Sequence, residues 1–470
     1  MNTTTVAAVA TPSGFGGIGI VKITGPEAIR IAQRIFRKKC PDTTDLPAQN
    51  AENFESHRLH YGVIIDPQNG RTVDEVLLAV MKAPYSYTRE DVVEIQAHAG
   101  PVALQAVMEI VLAAGAQMAE AGEFTRRAFI NGRIDLTQAE AVIDIINAKS
   151  ETALTAASVQ LSGRFKEKIE TIKAELENSY AVIEAGIDFP DEVDDALNRT
   201  DVTDRLQEDV IGPIHELLQQ HESMRYFKDG ISLAIIGKPN VGKSSLLNCL
   251  LQQERAIVTE KPGTTRDVIS ERLNINGIPI EILDTAGIHR TCDRIENIGI
   301  QKARDCIDTA DIVLFVIDAS QPVDHEDLYI SNQIDPNHSI LVYNKIDLLV
   351  NATQPWSQAP ADWDDRFRVA ISAKFGDGLE QLKKTVVQLT VGHINNTART
   401  PIIPNLRHKQ LLEFCLESLN TVCSGIDTQQ PMELIAIDLK AAIGALEDLL
   451  GVRVRTDILD QIFQQFCIGK

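Results

Sequence analysis

The sequence lacks the features that define several large classes of protein. No uninterrupted apolar run in its 470 residues is long enough for a membrane-spanning helix. The opening MNTTTVAAVATPSG has no basic start ahead of an apolar stretch and a cleavage site. The seven cysteines form no CxxC pair, so neither a disulfide framework nor a zinc site is indicated. We therefore expect a soluble, cytoplasmic protein with reduced thiols and no membrane contact.

The chain also lacks an excess of basic residues. Its formal net charge is −21 at pH 7. Binding of nucleic-acid phosphates needs clustered lysine and arginine, which argues against a nucleic-acid footprint over the whole surface. If the substrate is a nucleic acid, a local patch or a partner protein must hold it.

Proline is absent between Pro101 and Pro190, and the pattern of residues changes along the chain. Up to about residue 122, short β-branched segments alternate with helical ones, which predicts a small α/β domain. Helix formers with apolar residues three and four apart follow, and this pattern returns after about residue 400. Between them, short buried strands predict a parallel sheet covered on both faces, with an edge hairpin at Asn276-Gly277.

Helical segments on both sides of an α/β unit indicate that this unit is inserted into a helical domain. Insertion is tolerated because the two ends of a domain commonly lie close together. The predicted domains are residues 1–122 (α/β), 123–227 (first helical part), 228–392 (inserted α/β unit) and 393–470 (second helical part).

The segment GKPNVGKSS, residues 237–245, matches the phosphate-binding pattern between a strand and a helix. Gly237 and Gly242 allow backbone N–H groups to face the phosphates. Lys243 would supply positive charge to the β- and γ-phosphates, and Ser244 would ligate Mg²⁺. Alone, this match could also be an ordinary glycine-lysine turn.

A second motif, NKID, indicates that the base is guanine. The Asp347 carboxylate can accept from the ring N–H and the exocyclic amine of guanine, a pair that adenine does not offer. Asn344 would read the opposite edge, and the Lys345 stem would cover the ring. In SAK, the Ala373 N–H would reach the guanine oxygen.

The switch segment, DTAGIHRTCDRIENIGI, omits the glutamine with which a Ras-type enzyme orients the attacking water and has Ile288 instead. Asp284 and Thr265 would complete the Mg²⁺ site with Ser244, and the Gly287 N–H would reach the γ-phosphate. The residues expected to bind GTP are Gly237, Asn240, Val241, Gly242, Lys243, Ser244, Ser245, Thr265, Asp284, Thr285, Ala286, Gly287, Asn344, Lys345, Asp347, Ser372, Ala373 and Lys374.

From end to end, the chain resembles the bacterial tRNA-modification GTPase family MnmE, also called TrmE. The likeness is carried by ATPSGFGGIGIVKITG, GEFTRRAFINGRIDLTQAEAVIDII, AGIDFPDE, GKPNVGKSSLLN, GTTRD and the terminal FCIGK. The resemblance implies a multidomain fold of α/β plus all-α type. A small α/β folate-binding and dimerising domain would precede a helical-bundle domain with an inserted Ras-like P-loop GTPase domain.

The resemblance also implies an activity. With the flavoprotein GidA (MnmG), members form a heterotetramer that adds an aminomethyl-type group at carbon 5 of the wobble uridine of certain tRNAs. The one-carbon unit comes from a tetrahydrofolate derivative, in the 5-formyl or methylene form, and FAD and NADH are expected on the partner.

In this family, potassium replaces the missing glutamine and an arginine finger, and hydrolysis is activated when two GTPase domains meet. The motifs assign K⁺ ligands to Asn240, Thr259 and Lys261, the last two through backbone carbonyls, and water positioning to Glu296. The alternative for Glu296 is an ordinary solvated carboxylate on a helix. The catalytic candidates are Glu296, Lys243, Gly287 and Cys467.

The family's folate contacts fall on Lys22, Glu94, Arg133 and Lys470. The family often has arginine at Lys22 and lysine at Arg133, and both exchanges preserve charge but change hydrogen-bond geometry. An apolar helical face before Cys467 predicts a packed tail, in which this cysteine is either a buried apolar thiol or a reactive one.

Two other functions remain open at this point. An Era- or EngA-type ribosome-assembly switch would account for the GTPase motifs but not for the N-terminal segment or FCIGK. In a folate-dependent aminomethyltransferase, GTP would be only regulatory.

Overall fold

A computed structural model of the chain describes residues 4–12, 14–39, 54–189, 199–254, 271–283, 307, 309–349, 359–360, 363, 366–391, 402–453 and 456–469. The chain forms two compact units. The first comprises residues 1–143, 160–210 and 410–470, and the second comprises residues 144–159 and 211–409. None of the described helices is both long enough and apolar enough to span a bilayer.

The first unit contains a seven-stranded sheet in the order β3-β4-β5-β6-β2-β1-β7. Its strands are β1 Val6–Val9, β2 Gly19–Thr24, β3 Phe36–Lys38, β4 Arg58–Ile65, β5 Thr72–Met81, β6 Val92–Ala97 and β7 Gln117–Met118. Helices α1 (Ala28–Ile35) and α2 (Pro101–Ala113) bury their apolar residues against this sheet. Pro101 suits the first turn of α2 because its missing N–H has no intrahelical partner there. The predicted mixture of strands and helices in this region is confirmed.

The remaining helices of this unit come from segments far apart in the chain. They are α3 Glu123–Ile130, α4 Leu136–Asn147, α6 Arg164–Asp188, α7 Arg199–Arg205, α12 Leu406–Asp427, α13 Met432–Leu450 and α14 Thr456–Gln464. A π-helical segment, Leu206–Ile211, follows α7. Helices α6 and α13 make an extensive contact, in which Lys173 Nζ on α6 lies 3.8 Å from Oε1 of Glu447 on α13. Helices that precede and follow the second α/β region in sequence therefore pack on each other.

The second unit contains a six-stranded sheet in the order β13-β12-β11-β8-β10-β9. Its strands are β8 Ile231–Ile236, β9 Glu271–Ile275, β10 Ile278–Leu283, β11 Ile312–Asp318, β12 Ser339–Asn344 and β13 Phe367–Ala370. All neighbouring pairs are parallel except β9 and β10. Asn276 and Gly277 form the turn between those two strands, with φ angles of 50° and 88°. The predicted parallel sheet and its antiparallel edge are confirmed.

Buried side chains cover both faces of this second sheet, as predicted. One core includes Leu246, Ile280 and Leu314, and the other includes Phe315 and Trp363. The helices of this unit are α5 Glu151–Leu161, α8 Gly212–Asp229, α9 Lys243–Glu254, α10 His325–Ser331 and α11 Leu379–Val391. The Asp324 side chain caps α10 in a reciprocal capping box with Asp327.

Candidate functional site

The phosphate loop, residues 237–242, joins β8 to α9. At two positions its backbone has a conformation that residues other than glycine rarely adopt. Gly237 and Gly242 have φ angles of 146° and 100°. A Cβ atom on Gly237 would overlap the Val316 carbonyl oxygen, and one on Gly242 would overlap Nδ2 of Asn344. Glycine at both positions therefore lets the loop pack tightly against the ends of β11 and β12. In such a loop, successive N–H groups can face an anion.

Lys243, the first residue of α9, holds this loop curled. Its Nζ donates to the carbonyl oxygen of Gly237 at 2.7 Å and to that of Lys238 at 2.6 Å. Burial lowers the pKa of the Lys243 ammonium group, although Glu326 opposes that change. An anionic ligand in the loop would favour the charged form. Ser244 and Ser245 follow it as exposed residues in the first turn of α9.

Asn344, at the end of β12, connects the phosphate loop to the SAK segment. Its side chain is buried, Nδ2 donates to the Val241 carbonyl oxygen at 2.8 Å, and Oδ1 accepts from the Ala373 N–H at 2.9 Å. The sequence predicts only that Asn344 and Ala373 contact guanine, and those contacts stay predictions. In the structure the Asn344 side chain also links the phosphate loop to the SAK segment by these two hydrogen bonds. The Asn344 amide keeps a second N–H and a second lone pair on its oxygen, both available to a ligand.

Asp347 lies in an exposed turn after β12. The Ser372 hydroxyl donates to its Oδ1 at 2.7 Å, which orients the carboxylate and leaves it able to accept further hydrogen bonds. Lys345 has a left-handed backbone, with φ of 66°, and its Nζ lies 2.7 Å from Oδ2 of Asp318. Lys374 follows as an exposed residue. The second motif therefore presents a fixed carboxylate beside a fixed cation.

Two further acidic residues, Asp324 and Asp327, contact the phosphate loop and were not predicted from the sequence. Lys238 Nζ lies 2.7 Å from Oδ2 of Asp324 and 2.8 Å from Oδ2 of Asp327. The Lys238 charge is therefore paired with two carboxylates at the start of α10. A cavity lies between the phosphate loop and Lys345, with Asn240 in its lining. The capping-box spacing of Asp324 and Asp327 predicts a helix start, but only the tertiary structure shows its contact with the phosphate loop.

Asn240, the predicted side-chain ligand for K⁺, is exposed and has a φ of 63°. Apart from Ser244, the other switch and metal assignments fall on residues outside the described part of the chain. These are Thr259, Lys261, Thr265, Asp284, Thr285, Ala286, Gly287 and Glu296. Their roles stay predictions.

Three of the four predicted folate contacts lie together in the first unit. Lys22 on β2 pairs in register with Glu94 on β6, and its Nζ lies 3.7 Å from Oε1 of Glu94. The Tyr87 ring joins the set, because Lys22 Nζ lies 4.9 Å and Arg133 Cζ 4.7 Å from the ring centroid. Nη1 of Arg133 also donates to the Tyr87 carbonyl oxygen at 3.2 Å. The sequence offered no signal for Tyr87, whose aromatic ring connects the two cations.

The carboxyl-terminal tail docks close to this cluster. Phe463 and Phe466 are buried, as predicted, and Ile468 forms a β-bridge with Ala121. A Cβ atom on Gly469 would lie 2.6 Å from the carbonyl oxygen of Val9, on the strand next to that of Lys22. Lys470, the fourth predicted folate contact, lies outside the described residues.

Cys467 is exposed, so the alternative of a buried apolar thiol is wrong. The side chains that are buried in this part of the tail are those of Phe463 and Phe466. Exposure leaves its predicted catalytic role as a prediction.

Native thiol labelling checks this difference. Burial raises the pKa of Cys415, on α12, to about 12, whereas Cys467 is open to solvent. We expect iodoacetamide at pH 8 to modify Cys467 and to leave Cys415 unmodified, as measured by peptide mass spectrometry. Protein denatured in urea provides the control, in which both cysteines react. Equal labelling of the two cysteines in the native protein would contradict the assignment.

Comparison with known proteins identifies the family of this chain. Residues 136–467 match the family model described as the MnmE helical domain, and residues 5–133 match that of the GTP-binding protein TrmE N-terminus. The chain is 45% identical over 467 residues to the tRNA modification GTPase MnmE of Carboxydothermus hydrogenoformans, covering 99% of each chain. The chain belongs to the MnmE family.

The chain is also 44% identical over 469 residues to the tRNA modification GTPase MnmE of Geobacter sulfurreducens. That match covers 99% of each chain. The resemblance to MnmE predicted from the sequence is thereby confirmed. The two family models cover both the N-terminal and the helical regions, which an Era- or EngA-type switch leaves unexplained. The chain therefore has the multidomain organisation of the MnmE family.

Proposed function

We propose that this MnmE-family chain hydrolyses GTP in the modification of the wobble uridine of certain tRNAs. The observation that carries the proposal is the Asn344 bridge, which places the Asp347 carboxylate and the phosphate loop in one site. A carboxylate in that position complements the paired N–H donors of guanine. The full-length relatives named tRNA modification GTPases support the tRNA substrate.

Each part of the site would have a separate task. The N–H groups of the phosphate loop and the Lys243 ammonium would orient the β- and γ-phosphates. The Ser244 hydroxyl, with Thr265 and Asp284, would hold Mg²⁺, which neutralises phosphate charge when bound. Asp347 would select the base, and Glu296 would position the attacking water in place of the absent glutamine.

We also propose that potassium activates hydrolysis when two GTPase domains associate. Asn240 lies exposed in the phosphate loop, where its side-chain oxygen could ligate a monovalent cation together with the carbonyls of Thr259 and Lys261. A cation there would stabilise negative charge that develops in the transition state.

The potassium dependence gives a direct prediction. We expect GTP turnover to be roughly tenfold or more faster in KCl than in NaCl at equal ionic strength, since one well-placed electrostatic contact commonly contributes that much or more. Asn240→Ala should bring the ratio close to one. Asn248→Ala, a change at an exposed asparagine on α9, provides the matched control. Equal turnover of the wild-type protein in the two salts would refute the cation mechanism.

We further propose that the cluster of Lys22, Glu94, Arg133 and Lys470 binds a tetrahydrofolate derivative in the 5-formyl or methylene form. The described side chains fit this group, because a carboxylate can accept paired N–H donors from the pterin edge and the cations can meet its carboxylates. When bound, the folate supplies the one-carbon unit. The protein would act as a homodimer with the flavoprotein GidA (MnmG), which would carry FAD and NADH.

The contact between α6 and α13 supports our proposal that residues 228–392 are inserted into a helical domain. That domain would be formed by residues 123–227 and 393–470, of which residues 144–159, 211–227 and 393–409 lie in the second compact unit. Residues 1–122 would form the folate-binding domain.

A further inference from the structure

An open cleft of about 590 Å³ adjoins the cluster around Lys22. Its lining includes His57, Tyr85, Tyr87, Arg89 and Arg133, and no carboxylate of the described residues lines it. The volume lies within the usual range for small-molecule sites. Arg133 belongs to both the cleft and the proposed folate cluster, and the Tyr87 ring in the cleft lining contacts Lys22 and Arg133 of that cluster, so the cleft and the cluster are continuous.

Arg89 has a backbone conformation that is rare for a residue with a side chain. Its φ is 58°. The residues on either side of Arg89, Thr88 and Glu90, are fixed by side-chain contacts. Thr88 Oγ1 lies 2.7 Å from Thr24 Oγ1, and Oε2 of Glu90 lies 3.0 Å from Nη1 of the buried Arg127. Arg89 Nη1 itself donates to the Asn131 carbonyl oxygen at 3.1 Å. The surrounding structure therefore imposes a strained conformation on an arginine at the cleft, a combination often found at ligand-binding sites.

The charge of the cleft is not compensated locally. Arg89 and Arg133 each donate one hydrogen bond to a backbone carbonyl, and neither forms an ion pair with a carboxylate in the described part of the chain. Each guanidinium has five N–H donors, so both retain donors for a ligand. In a chain of net charge −21, two such arginines beside His57 form a local anion-binding surface.

We propose that this cleft binds the glutamyl tail of the folate and that Arg89 determines specificity for the tail's carboxylates. The proposal rests on the folate site proposed above. A pterin held near Glu94 would direct its aminobenzoyl ring along Tyr87 and its carboxylates toward Arg89 and Arg133. A tail with several glutamates presents more carboxylates to the same donors, so the chain should prefer polyglutamylated folates.

Equilibrium binding to the full-length protein tests this assignment with three probes. They are 5-formyltetrahydrofolate, its triglutamate and 5-formyltetrahydropteroate, which has no glutamate. For the wild-type protein we expect the triglutamate to bind most tightly and the pteroate to bind more weakly than the monoglutamate by roughly tenfold or more, since the loss of one charged hydrogen bond weakens binding by about that factor. Arg89→Gln should weaken monoglutamate binding about tenfold and leave pteroate binding within about twofold.

Matched variants separate the side chain from the fold. Arg71→Gln removes an exposed arginine elsewhere in the same sheet region and should change none of the three affinities. Arg89→Gly removes the side chain and relieves the positive φ, so its thermal midpoint should equal or exceed that of the wild type while its tail discrimination falls as in Arg89→Gln.

Two results would overturn the assignment, and they differ. Wild-type protein that binds none of the probes would remove the folate site itself and with it this inference. Binding by the wild type with unchanged discrimination in Arg89→Gln, or an equal loss for all three probes, would overturn only the role of Arg89 and the cleft.

Discussion

Replacing Asp347 with asparagine should change the base specificity of the nucleotide site from guanine to xanthine. The carboxylate accepts two N–H donors of guanine, whereas an amide would donate to the exocyclic oxygen of xanthine and still accept from the ring N–H. Loss of a charged hydrogen bond costs about 1.5–3 kcal/mol, so GTP affinity should fall about 10- to 150-fold. Competition binding with GTP, XTP and ATP measures the change.

Asp377→Asn is the matched control for this experiment. It makes the same charge change at an exposed position five residues beyond Ser372 and should leave the affinity for GTP unchanged. An Asp347→Asn protein that still prefers GTP over XTP would show that this carboxylate does not select the base.

Gly242→Ala should abolish tight nucleotide binding by a steric route. The new Cβ would overlap Nδ2 of Asn344, the atom that donates to Val241, and Gly242 has a φ of 100°. Either the amide moves and the bridge between the loops breaks, or the backbone changes shape. Backbone strain of about 1–3 kcal/mol and a lost buried hydrogen bond of similar cost predict an affinity loss of about 100-fold for both GTP and GDP.

Gly444→Ala provides the control for this substitution. Gly444 lies within α13, where a Cβ atom would meet no atom within 4 Å. The change should stabilise the protein by about 0.5–1 kcal/mol because alanine loses less backbone entropy in a helix. Wild-type GTP affinity in Gly242→Ala would contradict the packing described for the phosphate loop.

The features that the sequence predicts correctly are those encoded in short segments. The strand that precedes GKPNVGKSS, the helix that follows it and the hairpin at Asn276-Gly277 are all present, because apolar pattern and glycine position determine each of them locally. The family assignment likewise rests on contiguous motifs and is confirmed by full-length relatives.

Contacts between distant segments could not be predicted in this way. Asn344 meets Val241 across 103 positions, and Lys238 meets Asp324 across 86. The Tyr87 ring lies near both Lys22 and Arg133, yet nothing in the spacing of these residues indicates it. These contacts depend on strand order and on side-chain packing, which local patterns do not specify.

Mass spectrometry of tRNA nucleosides tests the central claim most directly. Transfer RNA from a strain that lacks this protein should have unmodified wobble uridines, a plasmid carrying the wild-type chain should restore the modification, and one carrying Asp347→Asn should not. Wobble uridines that are modified to the same extent with and without the protein would contradict the proposed function.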